Sequence, residues 1–262
     1  MQTPLFLSDE IKDFLNEKVI QYNCPDFIEH DPVSIPHRYD LKEDIEISAF
    51  LTATISWGKR VMILKNADKM MNILGNSPYD FVMSYNDSHK HLIEGFVHRT
   101  FNAIDFDFFI KSLKNMYGNH GGMEKVFAAN VSGDGVLNSI TAFKREFFAI
   151  DHPRRTTKHV GDPAKGSVAK RLNMMLRWLC RKDNNGVDFG IWKSISPARL
   201  SCPLDVHSGT VARKLGLITR KQNDLKALNE LDTHLRLLDP NDPVKYDFAL
   251  FGVGESGELS GV

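Results

Sequence analysis

The sequence predicts an all-α protein, and three patterns along its 262 residues say so. Apolar residues recur at 3.6-residue spacing in segment after segment, as they do in helices that bury one face. No run of β-branched residues alternates with polar ones over six positions, so strand signals are scarce. Gly and Pro fall between the periodic segments, where helices stop and loops turn.

The elements follow in order. Ser8 caps a first helix whose apolar positions are Ile11, Phe14, Leu15, Val19 and Tyr22. A Pro-rich connection (Pro25, Pro32, Pro36) leads to Asp40, which opens a long apolar helix through Ile45, Ile47, Phe50, Leu51 and Ile55. Gly58 interrupts it, and a second helix runs from about Lys59 to Gly75. Asp105 to Tyr117 reads as helix and stops at Gly118. A short helix follows over 123–130, then one from about Gly135 to Ile150. Further helices are predicted over about 167–182, 206–216, 223–238 and 243–252. The tail, 254–262, is small and polar and is expected to fray. With no internal repeat and no long linker, residues 1–262 read as one unit, its softest boundary near 150–165.

Composition excludes several classes. At 42% hydrophobic and 25% charged, the chain can bury a full core. No apolar run reaches the roughly 18–20 residues of a membrane span. MQTPLFLSDEIKDFL has no positive n-region and no cleavage-like site, so no signal peptide is expected. Cys24, Cys180 and Cys202 are far apart and odd in number, which predicts free thiols in a reducing compartment, not disulfides or a four-Cys cluster. The histidines lack metal spacing, so no metal or cofactor is expected. Nucleotide-binding and serine-hydrolase motifs are missing as well.

Charge is segregated. Residues 153–182 hold nine Lys/Arg against one acid, Asp162, a local charge of +8 in a chain that is formally neutral. A polyanion is the simplest partner for such a patch. Within it, Ser167 is a predicted N-cap for a helix with the apolar stripe Val168, Leu172, Met175, Leu176 and Leu179. Lys170, Arg177 and Arg181 form a second, basic stripe. It reads either as a solvated face or as a phosphate contact. Lys170 sits in the first turn beside Arg171 and Lys165, where the helix dipole and both neighbours disfavour an ammonium; this makes it a candidate amine nucleophile.

Asp205 follows the apolar step Pro203-Leu204 and opens the next helix. It reads as a cap, or as a reaction centre held by that cap. His207, Arg213 and Lys214 share its helix. The segment His159–Ser167 carries Gly161 and Gly166, which permit a tight turn whose N–H groups could meet phosphate oxygens. Trp57, Lys59 and Arg60 form a basic, aromatic turn that suits either a nucleic-acid strand or an inter-helix corner.

The order of helix, glycine-bearing hairpin, helix with an early Lys, and apolar–Asp–Val–His opening a helix that ends ARKLGL resembles the helix-hairpin-helix DNA glycosylase superfamily. That group includes endonuclease III and the oxoguanine glycosylases. AKRLNMMLRWLCRKDNNGVDFGIW, LDVHSGTVARKLGL and DPNDPVKYDFALFG also look like a family of uncharacterised bacterial and archaeal proteins, over nearly the whole chain.

The resemblance implies two helical subdomains around a cleft, with Lys170 as Schiff-base nucleophile and Asp205 as essential carboxylate. It implies a base-excision glycosylase with AP-lyase activity on double-stranded DNA carrying a lesion such as an oxidised purine, in a cytoplasmic, nucleoid-associated setting. DNA contacts would come from Trp57, Lys59, Arg60, Gly161, Lys165, Gly166, Arg171, Arg177, Arg181 and His207. The sequence departs from the superfamily at the hairpin, which usually reads Leu-Pro-Gly-Val-Gly, and in lacking iron–sulfur cysteines. Lys165 is a rival nucleophile. A catalytically silent nucleic-acid-binding protein of the same fold is the alternative, and a third reading is an enzyme acting on another substrate through Asp205 and His207.

Overall fold

The computed structural model describes residues 8–131 and 135–259. The first seven residues, residues 132–134 and the last three positions of the tail lie outside the described residues. What is described is mostly helical: α1 (Asp9–Tyr22), α2 (Asp26–His30), α3 (Lys42–Ile55), α4 (Arg60–Leu74), α5 (Pro78–Ser84), α6 (Lys90–Ile93), α7 (Ala103–His120), α8 (Met123–Ala128), α9 (Leu137–Phe147), α10 (Lys170–Cys180), α11 (Val206–Lys214), α12 (Leu225–Leu238) and α13 (Tyr246–Ser256). One antiparallel hairpin, β1 (Val97–His98) with β2 (Phe101–Asn102), pairs His98 with Phe101. Among the described residues no helix is long and apolar enough to cross a membrane.

Several boundaries obey the local rules. Ser8 caps α1, its side chain accepting from the Ile11 N–H. Gly75 ends α4 at φ 71°, a conformation glycine adopts without penalty. The helix read to Gly118 instead runs on to His120 and stops at Gly121, φ 75°. A lone glycine inside a helix is tolerated, while the Gly121-Gly122 pair supplies the left-handed turn that ends it. The short helices α2, α5 and α6 and the hairpin were not legible, being shorter than a periodic pattern needs. The tail expected to fray from 254 is helical through Ser256, and Glu258 pairs with Lys18 at 2.6 Å.

Ser167 is not the N-cap of α10. Ala169 holds that position at φ 45°, and Ser167 Oγ accepts from the Ala169 N–H at 3.1 Å. A left-handed alanine is strained. It lies just before Lys170 and fixes where α10 begins.

Among the described residues the buried apolar side chains form two clusters. The larger spans α3 to α10, with stacked and edge-on contacts among Phe50, Phe109, Phe143 and Phe147. α3 is its axis: every residue from Asp44 to Ile55 is buried, as suits a helix covered on all sides. The smaller joins Leu15 of α1 to Leu204 and to residues of α11, α12 and α13. A side chain at Gly252 would overlap the Tyr22 ring, so glycine lets α1 and α13 pack closely. The chain passes from the larger cluster to the smaller between Leu200 and Cys202, while Val160 belongs to the larger one.

Candidate functional site

A cleft of about 700 Å³ lies between the two clusters. Trp57, Met174 and Trp178 face it from the larger cluster, and Leu204, with Asp247 and Phe251 of α13, from the smaller side. Lys170 and Asp205 both line it.

Asp205 opens α11 through a reciprocal cap. Its Oδ1 accepts from the Ser208 N–H at 3.0 Å, and Ser208 Oγ accepts from the Asp205 N–H at 2.9 Å. Asn223 donates to the Asp205 carbonyl at 2.7 Å and accepts from Arg213 Nη2 at 2.6 Å. Arg213 thus serves the α11 turn. With Oδ1 engaged in the cap, Oδ2 stands 3.5 Å from Lys170 Nζ. Both side chains keep about a quarter of their surface, 26% for Lys170 and 22% for Asp205, so a ligand in the cleft can reach them. Lys170 Nζ also lies 3.6 Å from Met174 Sδ.

Trp57 is half-buried at the end of α3 and borders the cleft. His98 meets its ring edge-on at 4.9 Å between centroids, and the Arg171 guanidinium lies 4.8 Å over it. Arg171 also donates to the carbonyls of Thr54 and His159. Burial pushes its pKa down to about 10. It braces the Trp57 corner and the start of α10, while still bordering the cleft. Arg60 lines the cleft and pairs with Glu255 of α13 at 2.5 Å, a link from one side to the other. Lys59 is exposed beside it. His207 is exposed at the rim, its Nδ1 3.2 Å from the Gly254 carbonyl oxygen.

Two of the predicted phosphate contacts are corrected. Arg177 and Arg181 are 3% and 2% exposed. Arg177 bonds Asp188 and Asp247, and Arg181 bonds Asp183, Asp188 and Asp242. These four acids neutralise the two arginines inside the protein, because buried charges must be paired. The basic stripe is therefore not a solvated face. Exposed charge in this segment comes instead from Arg154, Arg155, Lys158, Lys165 and Lys182.

The hairpin also differs from expectation. A six-residue 3-10 helix, Arg154–His159, precedes it in place of an α-helix. Its N–H groups serve the turn itself: those of Lys165 and Ser167 go to the Asp162 carbonyl, and that of Gly166 to the Pro163 carbonyl. Asp162 Oδ1 accepts from the Ala164 N–H at 3.1 Å. Gly161 is needed for close approach, since a Cβ there would stand 3.1 Å from Ala169 Cα. Gly166 turns the chain at φ 82°. Lys165 is exposed on this turn and does not line the cleft, whereas Lys170 does.

Asp31, Asp247 and Phe251 line the cleft without having stood out in the sequence. For the last two a signal existed: Asp247, Phe251 and Glu255 are spaced i, i+4, i+8, one face of a helix. Burial pushes the Asp247 carboxyl pKa up, against the pull of Arg177. Cys24, Cys180 and Cys202 are free thiols. Among the described residues no group of three or more His, Cys, Asp or Glu side chains could hold a metal ion.

A family model described as "Protein of unknown function (DUF2400)" matches residues 31–256, and the chain belongs to that family. No curated protein matches the chain. No solved structure matches it either.

Proposed function

We propose that this protein is a DNA glycosylase with AP-lyase activity, of the helix-hairpin-helix type, using Lys170 as nucleophile and Asp205 as the essential carboxylate. The observation that carries the reading is the 3.5 Å approach of Lys170 Nζ to Asp205 Oδ2 inside a cleft between two helical clusters. A damaged base, flipped from the duplex, enters this cleft. Asp205, while ionised, stabilises positive charge developing on the sugar, and it takes a proton from the Lys170 ammonium as the amine moves to attack. The freed amine forms a bond to C1′ as the glycosidic bond breaks, and the base leaves with a proton. Opening of the sugar ring, with O4′ taking the proton held by Asp205, gives a protonated imine. Loss of a C2′ proton then expels the 3′ phosphate, and water hydrolyses the imine to return the amine.

Borohydride reduction in the presence of an abasic-site duplex tests this directly, because only an imine-forming amine is trapped. The parent protein should be trapped, and Lys170→Gln should not be, with stability within about 1 kcal/mol of the parent. Lys165→Gln should be trapped like the parent. Loss of trapping at Lys165→Gln with retention at Lys170→Gln moves the nucleophile. A parent that is never trapped removes the lyase and leaves the silent nucleic-acid-binding protein as the better reading.

A further inference from the structure

Asp31 is the one acid of the cleft that neither the fold nor the proposed chemistry employs fully. It is 9% exposed and lines the same cleft as Lys170 and Asp205. Its Oδ1 caps the 3-10 turn Pro32–Ser34 by accepting from the Val33 N–H at 2.9 Å. Among the described residues no further hydrogen bond and no ion pair reaches the carboxyl group. Its neighbours differ: Asp247 has Arg177, and Asp205 has Lys170.

A cap does not require this arrangement. Ser or Asn would cap the turn as well without placing a charge in a largely buried position. Burial raises the Asp31 pKa, while the Val33 N–H and the more distant Arg177, Lys170 and Arg60 oppose the rise. What is missing is a donor for Oδ2. The surrounding walls include the aromatic side chains of Phe27, Trp57 and Phe251. The volume, about 700 Å³, lies within the roughly 300–1,000 Å³ of small-ligand sites.

We propose that Asp31 selects the flipped base through its N–H donors. The accepted base presents a ring N–H beside an amino group, as a guanine-type edge does, and donates to the Asp31 carboxylate. An adenine-type edge turns a ring nitrogen lone pair toward the same oxygen and is repelled. This inference rests on the glycosylase reading for its substrate and adds which edge of the base is read. A site built around a buried acceptor discriminates strongly, because a ligand without the donor leaves that acceptor unpaired.

The test compares guanosine with 1-methylguanosine, which lacks the ring N–H, by quenching of tryptophan fluorescence. The parent protein should bind guanosine at least about tenfold more tightly. Asp31→Asn keeps the cap and the volume but replaces one acceptor oxygen by a donor, and should erase the preference. Asp31→Ser, which also caps, provides the same comparison if the Asn variant does not fold. Equal binding of the two nucleosides by the parent, no binding of either, or a preference that survives both variants would overturn the assignment. Trapping of the parent on an abasic-site duplex is measured separately. If trapping fails while an Asp31-dependent preference is present, the lyase falls and the nucleoside site stands.

Discussion

Asp205 and Ser208 cap one another at the start of α11, with bonds of 3.0 and 2.9 Å, and this leaves only Asp205 Oδ2 turned toward Lys170. The two carboxylate oxygens therefore have separate tasks, one structural and one facing the cleft. Serving as a helix cap therefore leaves this side chain one oxygen for contacts in the cleft.

That division makes Asp205 variants informative. Asp205→Asn keeps an Oδ1 acceptor and should keep stability, since Asn caps about as well as Asp, whereas Asp205→Ala should lose on the order of 1 kcal/mol in denaturant unfolding. On the proposed chemistry both should lose base release by about a hundredfold or more, because neither can take the Lys170 proton. Release by Asp205→Asn at the parent rate would leave Asp205 as a cap alone.

Arg177 should matter for folding rather than for DNA. It is buried between Asp188 and Asp247, and Arg177→Ala leaves Asp247 without its counter-ion and Asp188 with Arg181 alone, at a cost on the order of 3–5 kcal/mol. Urea unfolding measures this. The salt dependence of DNA affinity should instead follow exposed residues: replacing Lys158 and Lys165 with Ala should flatten log K against log salt by about 0.9 for each phosphate left without its lysine, with stability unchanged. A slope that ignores both lysines would remove this face of the protein from the interface.

Asp232 gives a pH signature. It is buried on α12, its Oδ1 accepting from the Cys202 N–H at 2.9 Å, and burial pushes its carboxyl up to about 6. The folded protein therefore holds this proton when the unfolded chain, with an ordinary carboxyl near 3.9, has released it. The stabilising contribution is complete below about 3.9 and is lost as pH rises through about 6, by up to about 3 kcal/mol. Asp232→Asn should lack this component. Unfolding free energies of both proteins between pH 4 and pH 7 decide it, and parallel curves would refute the assignment.

The sequence by itself determined what depends on near neighbours. The 3.6-residue apolar rhythm, the caps at Ser8 and Asp205 and the stop at Gly75 are local consequences of backbone geometry. It also singled out Lys170 and Asp205, which come together although 35 residues separate them. Only the tertiary structure decided the fate of the basic segment. Arg177 and Arg181 read as surface charge because two of their partners, Asp247 and Asp242, lie 70 and 61 residues further along the chain, and the nearer Asp183 and Asp188 are brought against them only by the fold. Asp31 was illegible for the same reason. A carboxylate before a proline is an ordinary turn residue until packing buries it and withholds a counter-ion. Helix propensity is set by contacts within a few residues, but the environment of a charge is set by whatever the fold brings against it.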